Sequence, residues 1–278
     1  MSNATSRIVP PQECRKIAAI VEYDGTRYSG SQIQDNSNTV QGEIKKMSQV
    51  FGVEDYQYYA SGRTDSGVHA RGQVIVMCMP KSLHGERLLE AMNWHLPTDI
   101  RIRKAVECSE DFNPRFDARL RTYRYLLCGG QPLPPLMANR MGSVKRHLDF
   151  KLMQQATEVL LSQEWDFKAW RSSICKAKRT KMNLTTLRVD PWSDRALHGG
   201  DSGCYEITIS ARFFLHHMVR YLVGGLARVG HGALSVKQLQ QDLQNGVLPH
   251  RVAPADACGL CLEHVYYPPE KDPFFNGQ

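Results

Sequence analysis

The 278-residue chain contains no run of about 20 unbroken apolar residues, so no segment reads as a membrane-spanning helix. Its opening, MSNATSRIVPPQECRK, lacks the apolar core of a secretory signal, which argues against export and for the cytoplasm. No self-similarity recurs at a period of about 20–50 residues, so repeat architectures find no support. Cysteine is too thinly spread for a disulfide scaffold: eight lie scattered from Cys14 to Cys261, and free thiols in a reducing compartment are expected. Only one C-x-x-C occurs, Cys258 and Cys261, with His264 behind it and no second pair at zinc-finger spacing. The run GLCLEHVYY alternates as a buried strand does, and a packed strand is expected there in place of zinc or redox chemistry. No cofactor motif is present, and the phosphate-cradling pattern G-x-x-x-x-G-K is missing.

What the chain has is enough apolar material, 42% of residues, for a substantial core. Its length fits roughly two domains of about 150 residues or one large one. The net charge of +7 is modest, so its distribution matters more. From Lys168 to Val189 stand Lys168, Arg171, Lys176, Lys178, Arg179, Lys181 and Arg188, with no acidic residue and with Trp170 among them. A shorter run, Arg115, Arg119, Arg121 and Arg124, interleaves with Phe116, Tyr123 and Tyr125. Basic residues beside aromatics suit phosphate contacts and base stacking, whereas an ordinary charge run is a solvated face. The absence of acids in the first run favours nucleic acid as partner.

Periodicity places strands at Lys16 to Tyr23, Gln57 to Ala60, Gln73 to Met79, Ile100 to Val106, Arg121 to Cys128, Leu184 to Val189, Tyr205 to Ile209 and Cys258 to Tyr267. Helices are expected from Thr39 to Val50, with Thr39 as N-cap, and at Leu83 to Trp94, Lys151 to Leu161, Phe213 to Val229 and Val236 to Leu243. The order is roughly β-α-β-β-α-β followed by a similar set, which suggests an α+β fold. A division near residue 110 gives two halves, 1–110 and 111–278, each expected to carry one sheet and two helices.

The densest functional cluster is Ser61-Gly62-Arg63-Thr64-Asp65-Ser66-Gly67-Val68-His69-Ala70-Arg71. Two glycines flank R-T-D, so a tight turn is expected to project Asp65 from a loop between strands. Arg63 and Arg71 are expected beside it, favouring the ionised carboxylate. Such a carboxylate serves as a nucleophile or base. A hairpin loop tied by an Asp–Arg salt bridge is the plainer reading of the same residues. Asp65 and His69 supply too few ligands for a metal, and His69 reads as a brace of the loop. His216 and His217, adjacent on the expected helix, would point in different directions and so make a poor metal pair. Tyr123 and Leu260 taken singly read as core, and Arg220 as a helix residue paired with something buried.

Together these segments do more. EYDGTRYSGSQIQ, GRTDSGVHARGQV, NWHLPTDIRI, DFNPRFDARLRTYRYLL, FFLHHMVRYLVG and CGLCLEHVYYP, in this order, resemble the tRNA pseudouridine synthase A family over most of the chain. The resemblance implies a pseudouridine synthase fold: two ferredoxin-like halves joined in a continuous, mostly antiparallel sheet flanked by helices, with a basic cleft between them. It implies isomerisation of uridine to pseudouridine at positions 38, 39 and 40 of the tRNA anticodon stem-loop, with no cofactor and no metal, by a homodimer that holds tRNA across both subunits. Position by position, it makes Asp65 the essential aspartate and Arg63 the residue that helps hold the nucleotide flipped out. Tyr123 stacks on the base and serves in proton transfer, Arg220 pairs with Asp65, and Leu260 packs against the base. The basic segment, Lys168, Arg171, Lys176, Lys178, Arg179 and Lys181, is expected to bind RNA.

Two positions depart from the family pattern. Ser31 stands where a tryptophan is usual, with an expected effect on packing or RNA contact, and Ser66 where alanine is common. A non-catalytic RNA-binding protein would keep the basic runs but give Asp65 no task. A related synthase with another target position is the remaining alternative.

Overall fold

The protein is described here by a computed structural model covering residues 14–53, 57–192, 203–249 and 252–275. The opening residues read above as lacking an export signal, up to Pro11 and beyond to 13, lie outside the described residues. The first half runs β1 (Cys14–Tyr23), α1 (Val40–Val50), β2 (Tyr58–Ala60), β3 (His69–Pro80), α2 (Gly85–Trp94) and β4 (Ile100–Glu107). The second runs β5 (Leu120–Gly129), β6 (Gly142–Val144), α3 (Phe150–Leu161), β7 (Trp165–Asp166), β8 (Lys181–Met182), β9 (Thr186–Pro191), β10 (Cys204–Ala211), α4 (Met218–Gly230), α5 (Val236–Gln244) and β11 (Leu260–Tyr266). Its three helices are the three that helical spacing places there, one more than an even division into two-helix halves allows. The short α5 buries Leu239 and Leu243 in the core.

One large sheet runs β4-β1-β3-β11-β5-β10-β9, with β2 paired to β3 and β6 to β5. It is mostly antiparallel; β11 with β3 and β5 with β6 are parallel pairs. The last strand thus sits at the centre. It joins the strands of the first half to those of the second, and Cys261 lies opposite both His69 of β3 and Arg124 of β5. Cys261 is part of a packed strand, and burial pushes its thiol up to about 12. At β1 the run KIAAIV is buried along nearly its whole length because the strand is covered on both faces.

Local chemistry explains the helix ends. The Thr39 hydroxyl accepts from the Gly42 N–H at 3.2 Å and caps α1, while Ile44 and Met47 enter the core. The helix expected from Phe213 begins instead at Met218. His217 before it takes a left-handed conformation, φ 64°, so the chain from Phe213 to His217 turns rather than winds. Inside α4, a Cβ at Gly224 would lie 2.0 Å from the Ala253 carbonyl oxygen, so only glycine lets the strand-leading segment pass this close.

Trp170 is a correction. Its place in the basic run suggests a stacking surface, yet it is among the most deeply buried side chains and lies against Gly225 of α4. A large apolar ring gains more from burial than from display. Trp170→Ala is expected to lower stability by about 3–5 kcal/mol in urea denaturation. A surface stacking residue would leave the unfolding midpoint nearly unchanged.

Candidate active site

The loop from Ser61 to Val68 is held by the turn that follows β1. The Ser31 hydroxyl accepts from the Thr64 N–H at 2.9 Å, and the Ser31 N–H donates to the Thr64 carbonyl at 3.1 Å. Tyr23 and Thr64 share a buried hydroxyl contact of 2.7 Å. The Gly67 N–H and the Ser66 hydroxyl both donate to the Tyr28 carbonyl. Gly30, at φ 99°, comes so close that a Cβ there would meet the Thr64 carbonyl at 2.9 Å. Ser31 is thus buried and turned toward the loop, which makes the departure from tryptophan a matter of loop support more than of an RNA-facing surface.

The loop is also held from beneath. Gln73 donates to the Gly62 carbonyl at 2.8 Å and accepts from the Ser61 hydroxyl at 2.6 Å. Arg121, expected to contact phosphate, is buried and directed at backbone. Its Nε and Nη2 donate to the Ser61 carbonyl at 3.2 and 2.7 Å, and its Nη1 donates to the Arg212 carbonyl. With a further bond from Nη2 to the Arg115 carbonyl, four of its five donors are held by interior carbonyls, which leaves little to offer a phosphate. Arg124 is likewise taken up, by Glu263 at 2.8 Å and Glu206 at 3.4 Å. His69 receives the Gly25 N–H at Nδ1 and contacts the Cys258 carbonyl through Nε2, linking the first turn to the approach of β11.

Asp65 faces the start of α4. Its Oδ1 lies 3.3 Å from His216 Nε2, and its Oδ2 lies 3.5 Å from His217 Nε2 and 3.6 Å from Arg220 Nη1. Arg220 itself is steadied by donating from Nε to the Ala255 carbonyl at 2.7 Å. The salt bridge within the hairpin does not form: Arg71 reaches Glu263 at 3.5 Å, and Arg63 is exposed with no ion pair among the described residues. The argument that two adjacent histidines diverge fails for a definite reason. His217 precedes the helix, and its left-handed backbone brings the two rings to 4.0 Å between centroids, on the same carboxylate. Such a backbone costs about 1–3 kcal/mol outside glycine and persists only where the surroundings hold it.

Tyr123 is buried and meets Phe214 edge to face, 5.3 Å between centroids. Burial, reinforced by the charge of Asp65 and opposed by Arg121, pushes its hydroxyl up to about 12. Tyr123 stands opposite Leu262, and Tyr125 opposite Leu260, so these four side chains share one face of the sheet. The site is therefore drawn from β3's leading loop, β5, the entry to α4 and β11.

The basic segment adjoins it. The Ser172 N–H donates to the His216 carbonyl at 2.9 Å, and the Arg179 guanidinium lies over the Phe213 ring. Lys168, Lys176, Lys178, Arg179 and Lys181 are exposed, while Arg171 is half-buried and donates to the Ala177 carbonyl at 2.8 Å. Sequence reasoning missed Tyr23, Tyr28 and Gln73 as loop supports and His216 and His217 as partners of Asp65; Ser31, expected to affect packing or RNA contact, supports the loop. Tyr23 and Tyr28 lie at the first turn, His216 and His217 just before Arg220, and Gln73 just after the Asp65 loop. Ser31→Ala leaves the Thr64 N–H without its acceptor; exchange of that amide is expected to accelerate about tenfold, the equivalent of one hydrogen bond of about 1.4 kcal/mol. Hydrogen-exchange NMR reads this directly, and an unchanged rate would remove Ser31 from the support of the loop.

Comparison with known proteins adds an independent line. A family model described as tRNA pseudouridine synthase matches residues 19–117 and 164–268. A protein of Citrifermentans bemidjiense named tRNA pseudouridine synthase A is 35% identical over 258 residues, covering 91% of this chain and 98% of the relative. Proteins of the same name from Geotalea uraniireducens and Aliivibrio fischeri are 36% and 34% identical; they cover 91% and 92% of this chain and 100% and 94% of their own lengths.

Proposed function

The chain belongs to the tRNA pseudouridine synthase family, and from that premise we propose that it isomerises uridine to pseudouridine in tRNA, at positions 38, 39 and 40 of the anticodon stem-loop. The observation that carries the reading is Asp65 on a braced loop, facing His216, His217 and Arg220, with Tyr123 close enough to feel its charge.

The reaction breaks the C1′–N1 bond of uridine and forms a C1′–C5 bond to the same base; the proton on C5 leaves and N1 gains one. No atom or electron enters or leaves overall. The work required is to expose the base, to detach it and to hold it while it turns. Exposing it costs a few kcal/mol of unstacking. In this reading Arg63, exposed on the loop, takes the vacated position and contacts phosphate. Tyr123 and Leu260 offer the apolar wall for the base. Both are nearly closed off, so the base enters only as side chains there rearrange. Asp65 then acts on the sugar, by attack at C1′ or by taking a proton from C2′ to give a glycal, and Arg220 orients it. Tyr123, beside Asp65, is the group proposed for proton transfer.

The exposed cations from Lys168 to Lys181 contact the RNA backbone near the His216 side of the site. In the same reading the halves 1–110 and 111–278 each present one wall of a basic cleft, and the protein works as a cytoplasmic homodimer. Among the described residues no helix is long and apolar enough to cross a membrane.

Unmodified tRNA carrying uridines in the anticodon stem tests this. Wild-type protein is expected to form pseudouridine there, mapped by carbodiimide labelling and primer extension. Asp65→Asn is expected to be slower by at least about 10⁴-fold, as for loss of a nucleophile. Equal product from both proteins would overturn the role of Asp65. Product from wild type only at other positions would overturn the choice of stem.

A further inference from the structure

We infer that Asp65, His216 and His217 form a binding site for a single divalent transition-metal ion of the zinc or cobalt type, which competes with RNA. One carboxylate oxygen and two imidazole nitrogens lie within 4.8 Å of one another. His216 Nε2 lies 3.3 Å from Asp65 Oδ1 and His217 Nε2 lies 3.5 Å from Asp65 Oδ2, both longer than the about 2.7–2.9 Å of a charge-assisted hydrogen bond. Spacings near 3.3 Å are those between neighbouring ligands of a tetrahedral ion at about 2.0–2.1 Å from each. Nitrogen and carboxylate ligands on a half-open site also suit these ions by donor type.

The backbone favours the same arrangement. The left-handed turn at His217 is what aims both rings at one carboxylate. His216 is 37% exposed, so a water completes the fourth position without a lid having to open. The charged neighbour on the other side is Arg220, 3.6 Å from Oδ2, and its repulsion makes binding weaker than at a structural zinc site. The ion is an occupant that blocks, with no part in the isomerisation. That consequence rests on the reading of Asp65 as the reacting carboxylate, whose lone pairs the ion would engage.

The test is a titration of the reduced, purified protein with Co²⁺, followed by calorimetry and by visible absorption. Eight cysteines compete as ligands, so the spectrum matters. One ion per chain is expected, with d–d bands of nitrogen and oxygen ligation and no thiolate charge-transfer band. His216→Gln and His217→Gln are each expected to weaken binding at least about tenfold, with circular dichroism reporting that each remains folded. His216 is the more exposed and the safer substitution. No saturable binding by wild type, binding unchanged in both folded variants, or a thiolate band would each overturn the site. None of these readouts uses catalysis, so failure of the metal site and failure of the Asp65 reading are separate results.

Discussion

The contact between Asp65 and the entry to α4 is the point on which the rest of the structure depends. The aspartate comes from the loop before β3, and its partners come from a segment more than half the chain away. Nothing local holds them together. They meet because β11 is inserted between β3 and β5 and turns two sets of strands into one sheet. α4 is then set against the segment leading to β11 and against Trp170 by Gly224 and Gly225, which let the Ala253 backbone and the Trp170 ring come within contact distance. Each of these close approaches depends on the absence of a side chain, so stability and site geometry share the same residues.

Around this contact the protein uses buried polar groups to hold a loop. Arg121 donates to three backbone carbonyls, Ser31, Tyr28 and Gln73 pair with loop backbone, and Tyr23 pairs with the Thr64 hydroxyl. Buried donors and acceptors that all find partners define one conformation, because any other leaves some of them unpaired. The loop is therefore preorganised, and Asp65 meets an electrostatic environment that exists before substrate arrives. Phe213 to His217 completes the connection: Phe214 touches Tyr123, His216 and His217 touch Asp65, and the His216 carbonyl holds Ser172 of the basic segment. A single five-residue turn thus links Tyr123, Asp65 and the basic segment.

Much of this is legible in the sequence, for identifiable reasons. The strands and α1 declare themselves through alternation, helical spacing and the Thr39 cap, all local signals. The Asp65 loop stands out because glycines, an aspartate and arginines cluster within eleven residues. What stays hidden is non-local or conformational. The central position of β11 depends on pairing between distant strands. The burial of Trp170 and Arg121 depends on which side of the fold their segments face, and composition alone assigns both to RNA contact. Most telling is His217: read as helix, it points away from His216, and only its left-handed backbone reverses that.

If the approach of α4 to the catalytic loop governs reactivity, then Arg220 acts on the chemical step and not on RNA binding. The most direct measurement is the single-turnover rate of pseudouridine formation by Arg220→Gln, with tRNA affinity and thermal stability measured on the same preparation. Loss of a charged group that orients a reacting carboxylate predicts a rate lower by about 10²–10³-fold, with affinity nearly unchanged. A wild-type rate in the folded variant would contradict the account.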